Sequence, residues 1–126
     1  MDHDHPNSLL VRRYWAAACA RDWAAFAACL DPQIVYRVPQ TREIVRGREA
    51  YVEFNASYPG DWTAELVSVV GEGRQAVSRL AFSVGGETAT GLSFFELRDG
   101  LIVAIDDFWP EPYAPPPRTT AVVERY

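Results

Sequence analysis

From residue 62 onward the chain is a succession of β-type runs separated by glycine-bearing turns, and no other stretch restricts the fold as strongly. Residues 62–70, 75–84, 87–97 and 101–109 are rich in β-branched and aromatic side chains. Between them stand Gly71-Glu72-Gly73, Gly85-Gly86 and Asp99-Gly100. Such pairs enter positive φ at little cost, which is what short hairpin turns demand. Four strands joined this way predict an antiparallel meander. Side chains alternate between the two faces of such a sheet, and one face must be covered.

The first half supplies the cover. Residues 1–7 are polar and expected to be mobile, and Ser8 reads as the N-cap of a helix running to Ala20. Leu10, Tyr14, Ala17 and Ala18 fall on one face of it. Arg21-Asp22 ends that helix, and Asp22 can cap a second. There Trp23, Phe26, Ala27 and Leu30 keep helical spacing up to Asp31-Pro32. Residues 34–38 form a short β-type run stopped by Pro39, and residues 43–46 suggest another. Gly47 opens a third helix to about Ser57, with Tyr51, Phe54 and Tyr58 on one side, before the turn Tyr58-Pro59-Gly60-Asp61. Residues 110–117 hold five prolines and read as an extended segment; residues 118–126 are expected to form a short strand or helix docked on the body or on a second chain. The whole is one α+β domain over residues 1–126. A long twisted meander facing a few helices curls into a half-cone, whose mouth is suited to holding a ligand.

Composition narrows the function. A content of 48% apolar residues argues against disorder, and a net charge of −5 argues against nucleic acid or an anionic membrane surface as partner. No apolar run approaches the length of a membrane span, and no basic-then-apolar leader is visible at the start, so a cytoplasmic location is expected. Cys19 and Cys29 fall about one helix length apart, too far for a disulfide, and read as reduced, buried packing residues. His3 and His5 with Asp2 and Asp4 imitate a metal cluster, but at a free terminus without fixed geometry. The chain holds only those two histidines, so a histidine-based zinc site or a Ser-His-Asp triad has no material. No glycine-rich phosphate loop follows a strand. No metal and no cofactor are expected.

Several local motifs, in this order, resemble the nuclear-transport-factor-2-like superfamily, in particular the SnoaL-like polyketide cyclases and the ketosteroid isomerases. They are Arg13-Tyr14-Trp15 with Arg21-Asp22, Leu30-Asp31-Pro32, Gly47-Arg48 with Phe54, the run from Phe95 to Ile102, and Asp107-Phe108-Trp109. The ketosteroid isomerases place a tyrosine and a protonated aspartate as an oxyanion hole, with a second aspartate as base. Tyr14 matches the tyrosine, but Val38 falls where the base belongs and Ser93 where the protonated aspartate belongs. That mechanism is therefore not expected. The resemblance to the cyclases implies an acid/base aspartate on the last strand, and Asp107 matches it. It also implies a homodimer through the outer sheet face, for which Val67, Val69, Leu80 and Phe82 offer enough apolar surface whichever parity holds.

Strand alternation puts Ile105, Asp107 and Trp109 on one face and Ile102, Ala104, Asp106 and Phe108 on the other. By the family pattern the first set looks into the cone. A carboxyl between Ile105 and Trp109 is desolvated and its pKa raised, which suits proton transfer. Otherwise Asp107 faces solvent or merely accepts a bond from Tyr14 or Trp15; Asp106 reads as a solvated or arginine-paired surface group, and with the opposite parity the two exchange roles. Tyr14 either donates to a ligand oxygen or satisfies its hydroxyl in the core, and Tyr36, which shares the inward parity of Val38, poses the same choice. Phe54, Asn55, Tyr58, Trp62 and Trp109 are candidates for the cavity wall or for plain core. The amide of Asn55 needs a partner, whether ligand, Asp107 or backbone. Arg79 is expected to point outward. The expected ligand is a small hydrophobic molecule, with Asp107 and Tyr14 catalytic and with Tyr36, Val38, Phe54, Asn55, Tyr58, Ser93, Ile105 and Trp109 around it. The alternative is a non-catalytic binding or assembly module.

Overall fold

The computed structural model describes residues 5–126, so Asp2, His3 and Asp4 lie outside the described residues. Helices α1 (Pro6–Ala20) and α2 (Trp23–Ala28) are followed by strands β1 (Leu30–Val38) and β2 (Glu43–Arg46), helix α3 (Arg48–Ala56), and strands β3 (Thr63–Glu72), β4 (Gln75–Val84), β5 (Glu87–Arg98) and β6 (Leu101–Phe108). The six strands form one curved, open sheet in the order β2-β1-β6-β5-β4-β3. The meander from β3 to β6 is antiparallel as expected, and two of its turns fall at Gly85-Gly86 and Asp99-Gly100, where all four residues have positive φ. The first turn shifts to Gly73-Arg74, because β3 runs on through Glu72. The sheet is not wholly antiparallel. Strand β1 lies beside β6 in parallel, with Tyr36 level with Ile105 and Arg37 with Asp106. Sequence alternation carries no information about such a distant pairing.

Helix α1 starts earlier than expected. His5 caps it by accepting from the Asn7 backbone N–H at 3.1 Å, and Asn7 in turn donates to the Gly73 carbonyl at 2.7 Å, tying residues 5–7 to the β3–β4 turn. Ser8 is therefore inside the helix and buried. Asp22 does cap α2, accepting from the Ala25 N–H at 3.1 Å. Leu30 does not extend that helix but opens β1, so the first strand begins four residues before Ile34. Arg21 ends α1 with φ 59°, sets its guanidinium 3.5 Å over the Trp62 ring and donates to the Trp62 carbonyl. That contact ties the helical hairpin to the start of β3.

The deepest part of the core is largely apolar. Phe26, Leu30, Ile34 and Ile102 have no exposed surface. Burying each contributes on the order of 1.5–3 kcal/mol. Ile102 corrects the expected parity. Leu97 pairs with Ile102 but Glu96 with Ala104, so Val103 is an extra residue in β6 that restores inward orientation to both Ile102 and Ile105. Three further expectations change. Cys29 is buried but Cys19 is exposed, at the solvent side of α1, its thiol toward the Ala64 carbonyl at 3.4 Å. Of the four residues proposed for the outer face, only Val67 is there, at 54% exposure; Leu80 and Phe82 face the cavity and Val69 packs on the core. Residues 118–126 form neither strand nor helix and are exposed. Arg79 points outward as expected.

Candidate functional site

Between the sheet and the helices lies a cavity of about 400 Å³. Its wall is mostly aromatic and aliphatic. Tyr14, Trp15 and Ala18 come from α1, Tyr36 and Val38 from β1, Tyr51, Phe54 and Asn55 from α3, and Leu80, Phe82 and Val84 from β4. Asp107 and Trp109 come from β6 and the residue beyond it, and Tyr58, Thr41, Glu43 and Glu87 stand nearer the solvent.

Asp107 is the polar centre and is only 6% exposed. Burial raises its pKa above the ordinary carboxylate value, and hydrogen bonds from Ser93, Tyr36 and the Trp109 side chain pull it part of the way back. The Tyr36 hydroxyl donates to one carboxylate oxygen at 2.6 Å and the Ser93 hydroxyl to the other. The register explains both contacts: Ser93 is the cross-strand partner of Asp107 on β5, and Tyr36 sits on the parallel neighbour β1. Asp106, one residue away, points to the outer face and pairs with Arg37 at 2.9 Å. Alternation placed the two aspartates on opposite faces, and the inward place that the family pattern implies for Asp107 is the one it takes.

Tyr14 does not reach Asp107. Its hydroxyl forms a hydrogen bond with that of Tyr51 on α3, and both hydroxyls are buried. The ring of Tyr51 lies 4.6 Å from that of Tyr36, centroid to centroid, so Tyr14, Tyr51 and Tyr36 form a continuous row beside the carboxyl. Burial pushes all three phenols above their ordinary pKa, and the charge of Asp107 pushes in the same direction. All three are therefore protonated hydrogen-bond donors at neutral pH. A hydroxyl pair uses one proton internally and leaves one to offer.

The remaining candidates divide. Val38, Phe54, Asn55, Tyr58, Trp62 and Trp109 all reach the cavity. Asn55 spends its amide N–H on the Tyr51 carbonyl at 2.8 Å, so its partner is backbone rather than Asp107. Ser93 and Ile105 do not line the cavity. Ser93 lies behind the carboxyl and holds it, and Ile105 packs into the core next to it, 1% exposed. Trp15 donates to the buried Ser78 hydroxyl at 3.0 Å, not to Asp107.

Sequence reasoning missed three supports. Tyr51 was legible only as a helix-face aromatic. Gln40 clamps Trp109, accepting from its backbone N–H and donating to its carbonyl at 3.2 Å. Gly91 lies under the Trp109 ring, and a Cβ there would come within 2.8 Å of it. An isolated glycine within a strand was the available signal for that close approach.

Comparison with known proteins agrees with this fold. Residues 11–105 match the SnoaL-like domain family, a span that stops two residues short of Asp107. No curated protein sequence matches the chain. Among solved structures, a candidate ketosteroid isomerase of Kribbella flavida is 38% identical and superposes with a TM-score of 0.91, over 96% of this chain and 90% of that one. An NTF-2 like protein of unknown function from Burkholderia xenovorans is 24% identical, with a TM-score of 0.78 over 93% and 92%. A candidate polyketide cyclase of Sinorhizobium meliloti is 22% identical, with a TM-score of 0.69 over 78% and 92%. The last two share the fold alone. The chain belongs to the SnoaL-like family and has the nuclear-transport-factor-2-like fold.

Proposed function

We propose that this chain is a cofactor-independent proton-transfer enzyme, an isomerase or cyclase, acting on a small apolar carbonyl compound held in the cavity. The observation that carries the reading is a desolvated carboxyl, Asp107, opening onto an apolar wall beside protonated tyrosines. As base, the carboxylate removes a proton from the carbon next to the carbonyl. The Tyr14–Tyr51 pair donates its spare proton as a hydrogen bond to the oxygen, where negative charge collects. Asp107 then returns its proton to a different carbon, or to the oxygen of a newly closed ring. A raised carboxyl pKa supports this role, because the ideal pKa lies near the working pH. The 38% identical Kribbella protein, named as a candidate isomerase, points the same way.

The test needs no knowledge of the natural substrate. Exchange of the α-protons of a ring ketone such as tetralone for deuterium, followed by NMR, should be faster with protein than without. General acid–base catalysis is worth roughly 10²–10⁴-fold, so Asp107→Asn should return most of the acceleration. Equal exchange by wild type and variant would sink the mechanism.

A second reading has its own support. Both oxygens of Asp107 already accept hydroxyl donors, as expected of a carboxyl that only orients a ligand. In that binding module, Asp107→Asn changes affinity and no exchange is found. We further propose that the chain pairs with a second copy through the outer sheet face. There Val77, Phe94 and Val70 are 37%, 46% and 68% exposed. A monomer in sedimentation at tens of micromolar would refute that pairing.

A further inference from the structure

The cavity wall has an unbalanced charge. Glu43, Glu87 and Asp107 line it, and among the described residues no arginine or histidine does. The chain contains no lysine, so all its basic side chains other than histidine are arginines. Three of them, on or beside elements that supply the wall, are engaged or exposed. Arg21 lies on the Trp62 ring, Arg37 is paired with Asp106 on the other sheet face, and Arg42 is exposed in the β1–β2 turn. An anionic group entering the cone would lose its hydration, find no cation and meet the carboxyl of Asp107. The three phenols already register that field, since the Asp107 charge disfavours a second anion on each of them. A cation meets the opposite situation: two carboxylates near the mouth and the aromatic rings of Phe82 and Trp109 within.

We infer that the cavity sorts ligands by charge, admitting uncharged and amine-bearing apolar molecules and refusing those with a fixed carboxylate, sulfate or phosphate. This rests on the reading of the cavity as a ligand site and narrows the substrate class. A developing oxyanion is not excluded by it, because that charge forms at the tyrosine hydroxyls. A substrate that carries its own acid group or a phosphorylated carrier inside the cone is excluded.

Three probes of one skeleton test the inference: naphthaleneethanol, naphthaleneethylamine and naphthaleneacetate, measured by equilibrium dialysis near neutral pH. The acetate should bind at least about tenfold more weakly than the alcohol, and the amine as tightly or more tightly, from Coulomb terms across a partly screened mouth. Glu43→Gln with Glu87→Gln, both at exposed positions, should narrow the gap between acetate and alcohol. An acetate that binds within about threefold of the alcohol overturns the charge inference and leaves the ligand-site reading intact. An amine clearly weaker than the alcohol overturns it as well. If none of the three binds, the ligand-site reading falls, and the inference with it.

Discussion

Replacing Tyr36 by Phe removes one oxygen and leaves the packing in place, because the ring still stacks at 4.6 Å on Tyr51 and 5.4 Å on Phe54. What is lost is the 2.6 Å hydrogen bond to the buried carboxyl of Asp107. A hydrogen bond to a charged group is worth about 1.5–3 kcal/mol and one to a neutral group about 1 kcal/mol, so removing it lowers the acidity constant of the carboxyl by the difference, roughly twofold to thirtyfold. The Tyr36 bond holds the Asp107 pKa down, so its loss raises a pKa that burial has already raised. A folded-state pKa above the unfolded one makes stability fully present at low pH and erodes it as pH rises through the folded value. The variant should therefore lose only the roughly 1 kcal/mol of a neutral hydrogen bond near pH 3.5, and about 1.5–3 kcal/mol near pH 8. Urea unfolding at the two pH values measures the difference, and ¹³C NMR of the aspartate carboxyls follows the titration directly. In the exchange assay the acidic limb of the pH profile should move up by the same factor. A stability loss independent of pH, or a carboxyl titration that stays in place or moves down, would refute the account of Asp107 as a desolvated group restrained by its donors.

Gly91→Ala should force the Trp109 ring off the sheet and into the cavity, costing about 1–3 kcal/mol by overpacking and weakening probe binding more than Tyr58→Ala does at the mouth. Trp15→Phe should cost about 1–3 kcal/mol by leaving the Ser78 hydroxyl, 1% exposed, without its donor, and adding Ser78→Ala should recover much of that loss in a double-mutant cycle. Asp106→Asn should leave α-proton exchange unchanged, since this carboxyl faces outward against Arg37; an effect as large as that of Asp107→Asn would mean the two faces of β6 have been exchanged.

Strand alternation put Asp107 and Asp106 on opposite faces, and it held because β6 is regular from Ala104 to Phe108, but only the family resemblance said which of the two turns inward. The same rule failed at Ile102, two residues before that stretch, because the bulge at Val103 inverts the parity and leaves no mark in the pattern of residue types. Val38, Phe54, Asn55, Tyr58 and Trp109 were legible as wall residues from helix face and strand parity. Partners were not. Tyr14 could be placed on the inner face of α1, but its choice of Tyr51 over Asp107 depends on how far α3 leans across the cone. Ser93 was taken for a ligand contact through its correspondence with an isomerase aspartate. It instead supports a carboxyl that has moved to the neighbouring strand.

The parallel pairing of β1 with β6 is what makes the site possible. The meander alone would leave β6 at an edge, with Asp107 open to water on one side and its pKa ordinary. Inserting β1 there covers that edge and brings Tyr36 to a carboxyl 71 residues later in the chain. The same insertion therefore desolvates the acid and supplies a donor that moderates the desolvation. Leu30, Ile34 and Ile102 are fully buried without a polar atom in their side chains, whereas Phe26, equally buried, packs against the rings of Tyr14 and Tyr51. Substitutions at Leu30, Ile34 and Ile102 should thus act through stability, at about 2–5 kcal/mol for a large-to-small change. Those around Asp107 should alter its ionisation before they unfold the chain. That separation lets one robust shell carry a site whose charge state can be tuned by single hydroxyls.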